Sequence, residues 1–139
     1  MKKTWIAFLI FLQGNTLMLD GFSFKVLLPL GHEKFRYSYF NEVEFVEHYI
    51  IFSDSSSITV QCGSNLVRPN KRENVIEKDT LLINDRTVFR NRGHEKGRRD
   101  LFWQEDVYKD LELSIMIHRA TPTKLQEYRV MLDNVKVMK

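Results

Sequence analysis

Between residues 86 and 99, six basic side chains (Arg86, Arg90, Arg92, Lys96, Arg98 and Arg99) meet a single acid, Glu95. A guanidinium fork pairs with sulfate, phosphate or carboxylate through two parallel hydrogen bonds, and the neighbouring Phe89, Phe102 and Trp103 add apolar planes. This combination suits recognition of anionic or polar planar groups, such as a sulfated glycan or an acidic partner. The same residues also fit a solvated loop that balances the acids at Glu105, Asp106, Asp110 and Glu112.

The remaining reactive side chains point away from catalysis. His32, His48, His94 and His118 are spread singly, without the paired spacing that a metal needs, so each reads as a surface or strand-face histidine. No nucleophile elbow and no phosphate-binding glycine loop occurs. Glu42, Glu44 and Glu47 are close in sequence, and Glu42 and Glu44 are expected on one strand face. Two carboxylates so placed could serve glycoside hydrolysis, although a solvated strand face carries the same residues. Cys62 is the only cysteine, which excludes an internal disulfide. Its alternation with Ile58 and Val60 predicts an inert thiol on an apolar face, with an intermolecular bridge as the other option. No cofactor is expected.

These side chains need a scaffold, and composition bounds it. The 139 residues are 43% hydrophobic and 28% charged, an ordinary globular balance that allows one domain. Twenty-one Lys and Arg against 18 Asp and Glu leave +3, too little to predict nucleic-acid binding. The start resembles an export signal: Lys2 and Lys3 precede the uncharged run Thr4–Leu12. That run is far short of the roughly 20 apolar residues of a membrane span. Residues 1–21 are therefore expected to be a secretory signal peptide, cleaved after Gly14 or Gly21, and residues 22–139 a single mature domain. The other reading of this segment is a buried N-terminal strand. Secretion and an extracellular location follow from the first reading.

Ten Phe and five Tyr favour strands. Phe35, Tyr37 and Tyr39 alternate with polar residues, a turn is expected near Asn41-Glu42, and Asp54–Ser57 reads as another. Ile58–Cys62, Thr80–Ile83, Thr87–Phe89 and Leu111–Ile117 read as further strands, with a turn at Asn84-Asp85. Residues 66–79 read as a loop with a short strand at Val75-Ile76. Arg90–Asp100 reads as a glycine-containing basic loop. Pro122 marks a turn, and Tyr128–Val137 reads as a hairpin around Asp133-Asn134. Nine or ten short strands with no helix predict an all-β fold, an antiparallel β-sandwich of jelly-roll-like type.

Part of this region resembles galectins. Val88-Phe89-Arg90-Asn91, Gly93-His94-Glu95-Lys96-Gly97-Arg98, Leu101-Phe102-Trp103 and Leu111-Glu112-Leu113-Ser114-Ile115 are similar to their central strands over about 30 residues. The resemblance implies a jelly-roll lectin sandwich in which Asn91, Glu95 and Arg98 would contact sugar hydroxyls. The stacking tryptophan position falls at Arg92, and the three polar positions of the upstream strand fall at Gln61, Gly63 and Asn65. The expected function is thus a secreted, non-catalytic recognition module for a glycan, including an anionic one, or an extracellular protein. Its ligand-binding residues are expected to be Asn91, Arg92, Glu95, Arg98, Arg99 and Trp103. Homo-oligomerisation is an allied possibility, as is a small glycan hydrolase.

Overall fold

Among the described residues, period-two alternation resolves into eleven strands in two antiparallel sheets. In the computed structural model the described residues are 4–10 (backbone only), 16–31, 33–64 and 75–139. The strands are β1 (Thr4–Ile10), β2 (Thr16–Asp20), β3 (Lys25–Pro29), β4 (Phe35–Glu42), β5 (Phe45–Phe52), β6 (Ser57–Gly63), β7 (Val75–Ile83), β8 (Arg86–Glu95), β9 (Arg98–Tyr108), β10 (Leu113–Ala120) and β11 (Lys136–Met138). Eight form one sheet in the order β1-β4-β5-β6-β10-β9-β8-β7, and β11-β3-β2 form the other. The all-β antiparallel sandwich is therefore present.

Alternate residues of the large sheet build the core. Phe35 and Tyr37 of β4, Ile50 and Phe52 of β5, Ile58, Val60 and Cys62 of β6, and Leu113, Ile115 and Ile117 of β10 are all buried. They meet Leu17 and Leu19 of β2 and Val26 and Leu28 of β3 from the small sheet. Each such aliphatic side chain contributes about 1.5–3 kcal/mol when fully removed from water. Cys62 has no exposed surface, and burial pushes its thiol up to about 12. It is the buried core thiol expected, and an intermolecular bridge would require that burial to be undone.

The expectation of an all-strand chain is corrected by α1 (Pro122–Leu132). Thr121 caps it, accepting the Lys124 N–H at 3.3 Å, and Pro122 fills the first turn, where its missing N–H costs nothing. Leu125, Tyr128, Met131 and Leu132 form its buried face. That spacing is helical, and the apolar residues of Tyr128–Val137 that suggested a hairpin obey it as far as Leu132. The Asp133-Asn134 turn is real, but it joins α1 to β11.

Two local corrections concern candidate site residues. The turn expected at Asn41-Glu42 lies at Val43-Glu44, with Glu44 in the left-handed region at φ 63°. Glu42 thus ends β4 while Glu44 sits in a turn, so the two carboxylates do not share a strand face. The basic loop expected over Arg90–Asp100 is instead a β-hairpin, in which Lys96-Gly97 turns β8 into β9. Gly97 adopts φ 74°, which the turn requires.

At the N-terminus, β1 pairs with β4 from Thr4 opposite Asn41 to Ile10 opposite Phe35. β2 pairs with β3 along its whole length. A signal boundary after Gly14 leaves β2 in the sandwich, whereas one after Gly21 would remove it. Residues 1–3 and 11–15 of the expected leader, His32, Asn65 and residues 66–74 of the loop expected over 66–79 lie outside the described residues. The expected strand at Val75-Ile76 is the start of β7.

Candidate functional site

The β8–β9 hairpin carries the arginine cluster, and its pleat sorts the cluster onto two faces. Arg90 lies opposite Asp106, Arg92 opposite Gln104 and His94 opposite Phe102. These share the face that carries the core residues Val88 and Tyr108. Asn91 lies opposite Glu105 and Gly93 opposite Trp103, on the other face. Asn91 and Trp103 are therefore separated from Arg92 by the sheet itself.

On the core-side face the arginines hold α1 in place. Arg90 donates to both carboxylate oxygens of Asp106 at 2.8 Å and to Asp133, the residue capping the end of α1, at 2.8 Å. Burial disfavours the charged guanidinium, but bonds to Asp106 and Asp133 outweigh it and raise the pKa of Arg90 further. Arg92 donates to Glu77 of β7 at 3.0 Å, and Arg129 of α1 donates to the other oxygen of Glu77. The Arg129 bond is the main reason that the Glu77 carboxyl is held below the ordinary value. The Arg92 guanidinium also lies 5.4 Å over the Phe102 ring, whose opposite-strand neighbour His94 packs at 4.7 Å.

On the other face polar side chains are packed rather than open. Asn91 donates to Glu105 at 3.3 Å, and Gln61 of β6 donates to Glu47 of β5 at 2.8 Å. Trp103 is 5% exposed and Glu105 2%. An aromatic buried to that degree offers no open plane for stacking.

The end of the hairpin is different. Lys96, Gly97, Arg98, Arg99 and Asp100 are all exposed. Arg98 donates to both oxygens of Asp100, at 2.9 and 2.7 Å, while Glu95 accepts the backbone N–H of Arg119 at 3.0 Å. Of the six expected ligand-binding residues, then, Arg98 and Arg99 stand in solvent and Glu95 and Asn91 are half-buried. Arg92 is engaged beneath α1, and Trp103 is packed away.

Several polar constellations were not legible as such. His48 is buried: its Nδ1 accepts from the Tyr37 hydroxyl at 2.5 Å, and its Nε2–H donates to the Asp20 carbonyl at 2.7 Å. Burial lowers its pKa, against a smaller opposite effect of Asp20. At the β5–β6 turn, Asp54 accepts the Ser56 N–H at 2.9 Å and the Ser56 hydroxyl at 2.6 Å, and Ser56 accepts from the Tyr128 hydroxyl at 2.5 Å. The turn expected at Asp54–Ser57 is thereby tied to α1 by 72 residues of sequence separation, which no local pattern could signal.

Clefts formed by the described residues include three that bear on the site. One of about 380 Å³ lies beside α1 between Leu30, Phe52, Tyr128 and Met131. One of about 430 Å³ lies by Phe22, Glu44, Gly63 and Glu112, and one of about 230 Å³ by Ile83, Arg86, Tyr108 and Lys136. Among the described residues no group of three His, Cys, Asp or Glu could hold a metal ion, and no helix is long and apolar enough to cross a membrane. No family model, no curated protein and no solved structure matches the chain.

Proposed function

We propose that the protein is a secreted, non-catalytic recognition module that binds a glycan or an extracellular protein through the exposed end of the β8–β9 hairpin. The observation carrying this reading is the contrast within the arginine cluster. Arg90 and Arg92 are consumed by carboxylates inside the fold, while Lys96, Arg98 and Arg99 face solvent, Arg98 paired there with the equally exposed Asp100. A fixed fork loses little conformational freedom when it meets a sulfate or carboxylate, so the acidic group is the feature recognised. Asn91 and Glu95 supply neighbouring polar contacts in this reading, and Arg92 and Trp103 act as supports for the hairpin. Export is supported by the basic start and the short apolar run that follows, and N-terminal sequencing of material from the medium tests it.

A sulfated-glycan array probed with the secreted chain tests the binding. Signal on sulfated but not neutral glycans is expected, and it should disappear with K96A, R98A and R99A combined. A silent array, with a protein recovered by pull-down that releases on the same substitutions, would assign the hairpin to a protein partner.

A second reading rests on β7, the outer strand of the large sheet. Its Ile76 and Leu82 are 50% and 75% exposed beside a strand edge with no partner strand among the described residues, which is a surface for strand addition by another chain or copy. Sedimentation at rising concentration distinguishes self-association, which L82K should abolish.

A further inference from the structure

The cleft of about 230 Å³ lies where the β7–β8 turn, the end of β9 and β11 meet, and its lining is of one charge sign. Ile83, Val135, Val137 and Met138 form apolar walls, and Arg86 and Lys136 bring two cationic groups. No acidic side chain lines it. Among the described residues Arg86 carries no ion pair, unlike its neighbours Arg90 and Arg92. The fourth element is Tyr108, 2% exposed, whose hydroxyl has no hydrogen-bond partner. Buried hydroxyls almost always find a partner, and an orphan one is a standing cost to the fold. Tyr108 lines the cleft while its hydroxyl lies buried just behind the surface, where the charges of Asp106, Arg90 and Arg86 all act on it.

We propose that this cleft binds a small carboxylate with an apolar body. The carboxylate would take the charge of Arg86 and Lys136 and, with a small opening of the cleft floor over the buried phenol, accept the Tyr108 O–H, and the body would lie against Ile83, Val137 and Met138. At about 30 Å³ for each water-sized unit, the volume holds on the order of eight heavy atoms. The site is separate from the hairpin end, since Arg86 lies at the opposite end of β8 from Lys96. It does not depend on the recognition reading given above.

Hexanoate, with its short chain and single carboxylate, is the probe. Calorimetry and methyl NMR of the full chain should show saturable binding with shifts at Val137 and Met138. Hexanol, which lacks the charge, and inorganic phosphate, which lacks the chain, should each bind at least tenfold more weakly. R86Q should weaken hexanoate at least tenfold, in line with the loss of a charge-assisted hydrogen bond. Y108F keeps the ring and removes the orphan hydroxyl, so it should raise the melting temperature of the ligand-free protein by a few degrees while weakening hexanoate several-fold. Absence of saturable binding, hexanol binding as tightly as hexanoate, or unchanged affinity in both R86Q and Y108F would each overturn the proposal. Because Y108F is expected to be the more stable protein, lost binding in it could not be ascribed to misfolding.

Discussion

Arg90 and Asp106 face each other across β8 and β9 with two parallel hydrogen bonds of 2.8 Å, both side chains almost wholly buried. Asp133 adds a third bond from the end of α1. A buried ion pair of this kind fixes where a helix sits more than it adds net stability, because each ion has lost its hydration. A residue cluster that looks on paper like a cationic surface is here, in part, an internal clamp.

Breaking the clamp on one side should be severe. Asp106→Ala leaves the Arg90 guanidinium buried with only the outer Asp133 partner, and a loss of about 3–5 kcal/mol is expected. Replacing both members, as in R90M with D106L, removes the uncompensated charge and should cost far less. Urea unfolding of the two variants checks this. A double variant no more stable than the single one would mean that the pair itself holds the sandwich together.

Acidification should weaken the fold in the range where histidines titrate. Burial lowers the pKa of His48 below its ordinary value, and burial lowers that of His118 against opposing effects of Glu95 and Glu47. Below about 6.5 the unfolded chain takes up protons that the folded chain refuses, so stability present above that pH is lost as pH falls. The urea midpoint should drop on moving from above to below that value. Replacing both histidines by Gln should flatten the dependence there, leaving only the carboxylate region below it, where Asp54 and Glu77 are held ionised. Hydrogen bonds from Ser56, working against burial, do this for Asp54, and those from Arg129 do so for Glu77.

The start of the folded domain is testable by truncation. Leu17 and Leu19 of β2 are 5% and 2% exposed. Losing two buried leucines removes about 3–6 kcal/mol of burial energy, a large share of the roughly 5–15 kcal/mol by which a domain is stable. A chain beginning at Asn15 should fold cooperatively, and one beginning at Phe22 should not. If the chain is exported as proposed, its mature form should accordingly begin before Thr16. Mature material beginning at Phe22 that still melts cooperatively would remove β2 from the essential core.

Much of the sandwich was legible because period two is a local signal. Phe35 and Tyr37, Ile58 to Cys62 and Leu113 to Ile117 each alternate with their neighbours along a strand, although the structure buries both faces of β6 and of Leu113–Ile117, and the turns at Asp54–Ser57 and Asn84-Asp85 carry their own chemistry. α1 was not legible because Tyr128, Val130 and Leu132 also alternate at period two as a strand would, although Val130 is exposed on the helix, and Pro122 reads equally as a turn or as a first helical residue. The hairpin at Arg90–Asp100 was missed because charged residues there looked solvent-exposed. Arg90 and Asp106 are instead each other's partners, 16 residues apart in sequence. Which arginines remain free depends on pairings with Glu77, Asp106 and Asp133 that no spacing announces.

The most direct test of the recognition reading is the affinity of the chain for a sulfated glycan at increasing salt, with the K96A, R98A and R99A protein measured in parallel. The account predicts saturable binding that weakens as salt screens the hairpin charges and is lost in the variant, with the variant's urea midpoint unchanged because all three residues are exposed. Equal binding by the variant, or a lost signal only when Arg90 or Arg92 is replaced, would contradict it.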